Sequence, residues 1–149
     1  MLGLVPTYLL KKLNLGETRG MRRGCAICVD VSGFTPLVER LGRLGRRGAE
    51  MLSEGISALY AAIEQLVDEG GGFVSTFAGD SFSVVLFDEG VSSGQRMSHR
   101  LLEVFRRQRG LIRGSALRAR AGVAAGQICW RILGSGPRRS FCFLGHPVR

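Results

Sequence analysis

Cys25-Ala26-Ile27-Cys28-Val29-Asp30-Val31 is a short apolar run that closes on a carboxylate, and Ser32-Gly33-Phe34-Thr35-Pro36 follows at once. The run has the length and β-branched content of a central strand. Thr35 is expected to cap a helix with Pro36 at its first position. Gly42, Gly45 and Gly48 then interrupt the pattern, predicting a short helix, a bend and a second helix. In that second helix Leu52, Ile56, Leu59, Ile63 and Leu66 recur at helical spacing until Gly70-Gly71-Gly72 ends it. A hairpin comes next: Phe73 to Phe77 as one strand, Ala78-Gly79-Asp80 as the turn, and Ser81 to Phe87 as the return, with Phe82, Val84 and Leu86 on one face.

Downstream, Ser92 and Ser93 are expected to cap a third helix running through Met97, Leu101, Val104 and Phe105. Alternation resumes at Leu117, with Ala119, Ala121 and Val123 on the same side and Arg118 and Arg120 opposite. Gln127 to Leu133 either continues this strand or pairs with it. After a Gly/Pro/Arg loop, Ser140 to Leu144 is a last strand. Strand, helices, hairpin, helix, strand, strand predicts an α+β fold of the ferredoxin-like βαββαβ type, an antiparallel-dominated sheet with helices packed on one face.

In this topology the first strand lies antiparallel to the return strand of the hairpin, so the end of the first meets the hairpin turn. Asp30 and Asp80 are thereby brought to one sheet edge. Two carboxylates held together are driven towards protonation unless a cation neutralises them, and hard Mg²⁺ or Mn²⁺ suits oxygen donors. Ser32-Gly33-Phe34-Thr35 leads into a helix N-terminus, where free backbone N–H groups and the helix dipole favour an anion such as phosphate. The pair and the cradle together describe two-metal chemistry on a phosphate. The plainer alternative is two solvated turn carboxylates, since Asp is common at strand ends and in turns.

The rest of the composition excludes more than it adds. The 149 residues, 45% of them hydrophobic, suit one compact domain with a real core. The formal charge of 21 − 12 = +9 comes largely from arginines spread along helix faces (Arg40, Arg43, Arg46, Arg47, Arg106, Arg107, Arg109), where solvation is the default. Met1 to Leu10 is apolar, but its basic pair Lys11 and Lys12 follows the run, the wrong order for a signal peptide, and the run is too short for a bilayer. Residues 1–23 are expected to form a lead-in packed on the domain or a partner, and the protein to be soluble and cytoplasmic, with no membrane span. Cys25 and Cys28 fall on opposite faces of a strand, so they cannot chelate together, and Cys129 and Cys142 are isolated. All four are expected to be core residues. His99 and His146 have no ligand partner at suitable spacing, Gly42-x-x-Gly45-x-x-Gly48 is a set of helix-bend glycines and no phosphate loop, and Trp130 is a packing residue.

Several stretches together carry a family resemblance. Val29-Asp30-Val31-Ser32-Gly33-Phe34-Thr35 resembles the signature that opens class III adenylyl and guanylyl cyclase domains, and Phe77-Ala78-Gly79-Asp80 resembles their second signature. Arg47-Gly48-Ala49-Glu50, Gly71-Gly72, Ala121-Gly122-Val123-Ala124-Ala125-Gly126 and Phe143-Leu144-Gly145 follow in the family's order. The nearest variety is the first catalytic domain of the bicarbonate-responsive soluble adenylyl cyclases. The resemblance runs through residues 24–149, which it marks as a cyclase domain incomplete at its C-terminus.

The resemblance implies that Asp30 and Asp80 hold two metal ions with the Val31 carbonyl as a further ligand, and that the backbone of Ser32, Gly33, Phe34 and Thr35 cradles a triphosphate. It implies conversion of ATP or GTP to a 3′,5′-cyclic nucleotide, and a head-to-tail pair in which a second cyclase domain, in cis or in a homodimer, completes the site. There are two departures. Thr76 stands where many members carry a lysine, and the chain reaches Gly145-His146-Pro147-Val148-Arg149 without the asparagine and arginine of the family's next helix. Arg149 falls short of that arginine's position. A catalytically silent half that binds nucleotide or a partner is therefore a second expectation. A third is an RNA-recognition module, suggested by the same βαββαβ order, the basic charge and Gly72-Phe73-Val74-x-x-Phe77. Negative charge at Asp30 and Asp80 and the lack of a second aromatic strand motif argue against nucleic acid.

Overall fold

The computed structural model describes residues 6–107, 117–135 and 138–148. Residues 1–5, Arg109, positions 136–137 of the Gly/Pro/Arg loop and Arg149 lie outside the described residues. The elements are α1 (Thr7–Asn14), β1 (Arg19–Ser32), α2 (Phe34–Gly42), α3 (Arg46–Glu69), β2 (Phe73–Ala78), β3 (Ser81–Phe87), α4 (Val91–Arg107), β4 (Arg118–Ser135) and β5 (Arg138–Leu144), with a 3₁₀ turn at His146–Val148. The strands form one sheet in the order β2-β3-β1-β4-β5, and every neighbouring pair is antiparallel. This is the expected βαββαβ sheet, extended at the β4 edge by β5.

Alternation along β1 separates two environments. Cys25, Ile27, Val29 and Val31 face the helices and join Phe82, Val84 and Leu86 of β3 with Leu37 and Leu41 of α2, Leu59, Ile63 and Val67 of α3, and Met97, Leu101 and Phe105 of α4. Each fully buried aliphatic side chain there contributes about 1.5–3 kcal/mol relative to exposure. On the opposite face Ala26, Val85 and Ile128 form a smaller buried cluster. Half of that face is covered: Tyr8 of α1 lies against Phe73, Phe87 and Trp130, at ring-centroid distances of 6.0, 4.7 and 5.9 Å. Trp130 is buried, a packing residue as expected.

The structure corrects several local expectations. Thr35 does not cap α2. The helix starts at Phe34, Gly33 occupies the cap position at φ 97°, and no side chain caps it. Glycine at that left-handed angle turns the chain out of β1 immediately, and Pro36 then sits harmlessly in the first turn. Ser92 and Ser93 are likewise inside α4, which opens at Val91, and the Ser93 hydroxyl binds the Glu89 carboxylate. β4 is one continuous strand, and β1 begins at Arg19, upstream of residue 24, because its ladder with β4 extends to Arg19↔Arg131. Of the cysteines only Cys25 is buried; Cys28 is exposed and Cys129 and Cys142 are half-buried. Cys28 stands on the face away from the helices, and Cys129 and Cys142 lie in the β4–β5 pair at the edge of the sheet.

Candidate active site

Asp30 is even-numbered on β1, so its side chain stands on the face away from the helices, two positions from exposed Cys28. Its cross-strand partners are Ser81 on β3 and Arg120 on β4. Beyond that last rung the Val31 N–H donates to the Asp80 carbonyl at 3.0 Å, tying the β2–β3 turn to the end of β1. The Ser81 hydroxyl braces the same turn by donating to the Ala78 carbonyl at 2.9 Å. The backbones at Asp30 and Asp80, fifty positions apart in sequence, are thus held together at one end of the sheet.

The start of α2 is the second part of the site. Ser32 ends β1, Gly33 makes the turn, and Phe34 packs against the main core, which anchors the segment. The Leu37 N–H reaches back to the Gly33 carbonyl at 3.3 Å, so helical bonding begins there. The N–H groups of Gly33, Phe34 and Thr35 precede that bond and have no partner within the helix. They lie directly after Asp30 and Val31, where an anion beside a bound cation would gain from both.

Asp30 and Asp80 supply carboxylates and Val31 a carbonyl, all hard oxygen donors, with no imidazole in the group; His99 and His146 are exposed elsewhere. Among the described residues no cluster of three or more His, Cys, Asp or Glu side chains forms a closed metal cage. Two carboxylates with open positions suit Mg²⁺ or Mn²⁺, which keep waters and share coordination with phosphate oxygens.

Arg120 is the residue that sequence reasoning missed. Its Nε donates to Asp30 Oδ2 at 2.7 Å, with the arginine side chain 86% and the aspartate 39% exposed. The alternation at Leu117 to Val123 puts Arg120 on the polar side of β4, but only the β1–β4 register sets it opposite Asp30. Thr76 is exposed on β2 and lines a separate cleft of about 620 Å³ with Glu64, Asp68, Ser75 and Cys142; no candidate metal residue borders it. The aromatic pair that suggested RNA stacking is split between the faces: Phe73 packs with Phe87 and Phe143, Phe77 with Tyr60 and Phe82. The register shift between Val74 and Thr76 accompanies this separation. Among the described residues no helix is long and apolar enough to cross a membrane.

Solved structures that share this fold include adenylyl and guanylyl cyclases. A bacterial light-regulated adenylyl cyclase superposes with a TM-score of 0.76 at 16% identity, over 98% of this chain and 44% of that one. The adenylyl cyclase CyaB from P. aeruginosa gives 0.64 at 20% identity, over 87% and 69%. The guanylate cyclase domain of RhGC from Catenaria anguillulae, solved in complex with GTP, gives 0.68 at 13% identity, over 86% and 69%. This chain therefore spans less than half of the light-regulated enzyme. No protein-family model and no curated protein matches it. The fold is that of the adenylyl and guanylyl cyclase domains.

Proposed function

We propose that the chain supplies the metal-binding half of a nucleotide cyclase centre, which converts ATP or GTP to the 3′,5′-cyclic nucleotide and pyrophosphate. The observation that carries this is the register joining Asp30, Val31 and Asp80 at the N-terminus of α2. In this reading Asp30, Asp80 and the Val31 carbonyl hold two Mg²⁺ or Mn²⁺ ions, and the backbone of Ser32, Gly33, Phe34 and Thr35 orients the triphosphate. When bound, such ions lower the pKa of the attacking hydroxyl and neutralise the phosphates. The chain's own residues would fix the positions of both, so that attack at the α-phosphorus is in line.

The domain, residues 24–149 with the β1 extension from Arg19, would act beside a second cyclase domain in head-to-tail arrangement, in cytoplasmic cyclic-nucleotide signalling. ATP is preferred because of the resemblance to the first domain of soluble adenylyl cyclases. Thr76, in place of the lysine that many family members carry, cannot select the base or bind an activating anion as that lysine would.

Product formation is measured with the intact chain, alone and mixed with a complementary cyclase domain, in Mn²⁺ with ATP or GTP. Asp30→Ala and Asp80→Ala should each lower turnover by about 10²–10³-fold, the scale for losing a group that stabilises transition-state charge. Undiminished activity in either variant would remove that residue from the metal pair. Metal-dependent nucleotide binding without product, even beside an active partner, would identify a silent half.

A further inference from the structure

The Asp30 carboxylate already has a cation. Arg120 faces it directly across the β1–β4 ladder and holds Oδ2 at 2.7 Å. On the other side its neighbour Ser81 is uncharged and turns its hydroxyl to Ala78. Arg120 is 86% exposed, so packing does not dictate where its guanidinium rests. An exposed pair of this kind is weak, so it can be opened readily. While it is closed, the guanidinium uses a carboxylate oxygen that a metal would need, and its charge opposes an incoming cation.

We infer that Arg120 is a built-in competitor for the metal at Asp30: a divalent ion binds there only in exchange for the guanidinium, and Arg120 sets the cation affinity of the site. The inference rests on the proposed role of Asp30 as a metal ligand. It differs from an ordinary cross-strand ion pair in one consequence. Removing a stabilising partner normally weakens a site, whereas removing a competitor strengthens it.

The test is Mn²⁺ binding to the full chain without nucleotide, read from the electron paramagnetic resonance signal of free Mn²⁺ and from titration heat. Arg120→Gln should bind Mn²⁺ about twofold to fivefold more tightly than the native chain, the scale of one exposed ion pair. Arg120→Lys keeps the charge and should stay close to native, and Asp30→Asn should bind most weakly. Equal or weaker binding by Arg120→Gln, with Asp30→Asn still impaired, would overturn the competitor role and leave the metal role of Asp30 standing. A gain in Arg120→Lys as large as in Arg120→Gln would also overturn it, because shape and not charge would be responsible. If Asp30→Asn matches the native chain, the metal assignment and the inference fall together. Circular dichroism melts establish that each variant is folded.

Discussion

Cys25 and Cys28 show at single-residue scale how β1 divides its two faces. Cys25 is in the core beneath α4, and burial pushes its thiol pKa up, reinforced by Glu89 and partly offset by a hydrogen bond with the Gly94 backbone. Cys28 lies in the open, on the face that carries Asp30. Alkylation followed by peptide mass spectrometry should modify Cys28 at least about tenfold faster than Cys25, since attack requires an accessible thiolate. Comparable rates would contradict the face assignment. The raised Cys25 value also makes stability fall with rising pH on the alkaline side: the folded state retains a proton there that the unfolded state has released. That the two thiols part ways was legible from their odd spacing. That Cys28 would be uncovered was not, because a single strand does not say which faces its helices cover.

At the scale of elements, α2 and α3 are set by glycines whose roles differ. Gly33 provides the left-handed turn that brings the first N–H groups of α2 beside Asp30. Gly48 provides proximity: a Cβ there would lie 1.7 Å from the Leu41 carbonyl oxygen, so α3 packs backbone to backbone on the end of α2. Gly48→Ala should cost about 1–3 kcal/mol in chemical denaturation, the range for overpacking a tight contact. A change below about 0.5 kcal/mol, typical of surface sites, would contradict that packing. The bend between the helices was legible from three glycines at short spacing, and α3 from its Leu/Ile repeat. Capping by Thr35 was misread because Thr-Pro is a strong local start signal, and the strand exit at Gly33 overrides it. Ser92 and Ser93 failed similarly, since α4 begins one residue earlier.

At the scale of the whole molecule, one sheet face is covered at one end and carries the proposed metal site at the other. Near the start of β1, Tyr8 seats α1 on the aromatic cluster, and the Arg22 guanidinium lies 5.7 Å from the Tyr8 ring centre and 5.3 Å from that of Phe87. Arg22 also pairs with Asp88, and its pKa is raised first by the Tyr8 hydrogen bond and then by Asp88, against desolvation. At the other end of the face Cys28, Gly122 and Arg120 are exposed and Asp30 is half-buried, with no such cover among the described residues. Topology made the meeting of Asp30 and Asp80 legible in the sequence, because a βαββαβ chain pairs its first strand with the hairpin's return. Arg120 was not legible, because nothing in the alternation of β4 fixes its register against β1 to one rung. We propose this uncovered end as a metal site built on Asp30 and Asp80. It is tested most directly by anomalous diffraction at the manganese edge from crystals grown with Mn²⁺ and a non-cyclisable nucleotide triphosphate. Anomalous density is expected within coordination distance of both carboxylates, with Arg120 turned away from Asp30. Bound nucleotide with no manganese at either aspartate would contradict it.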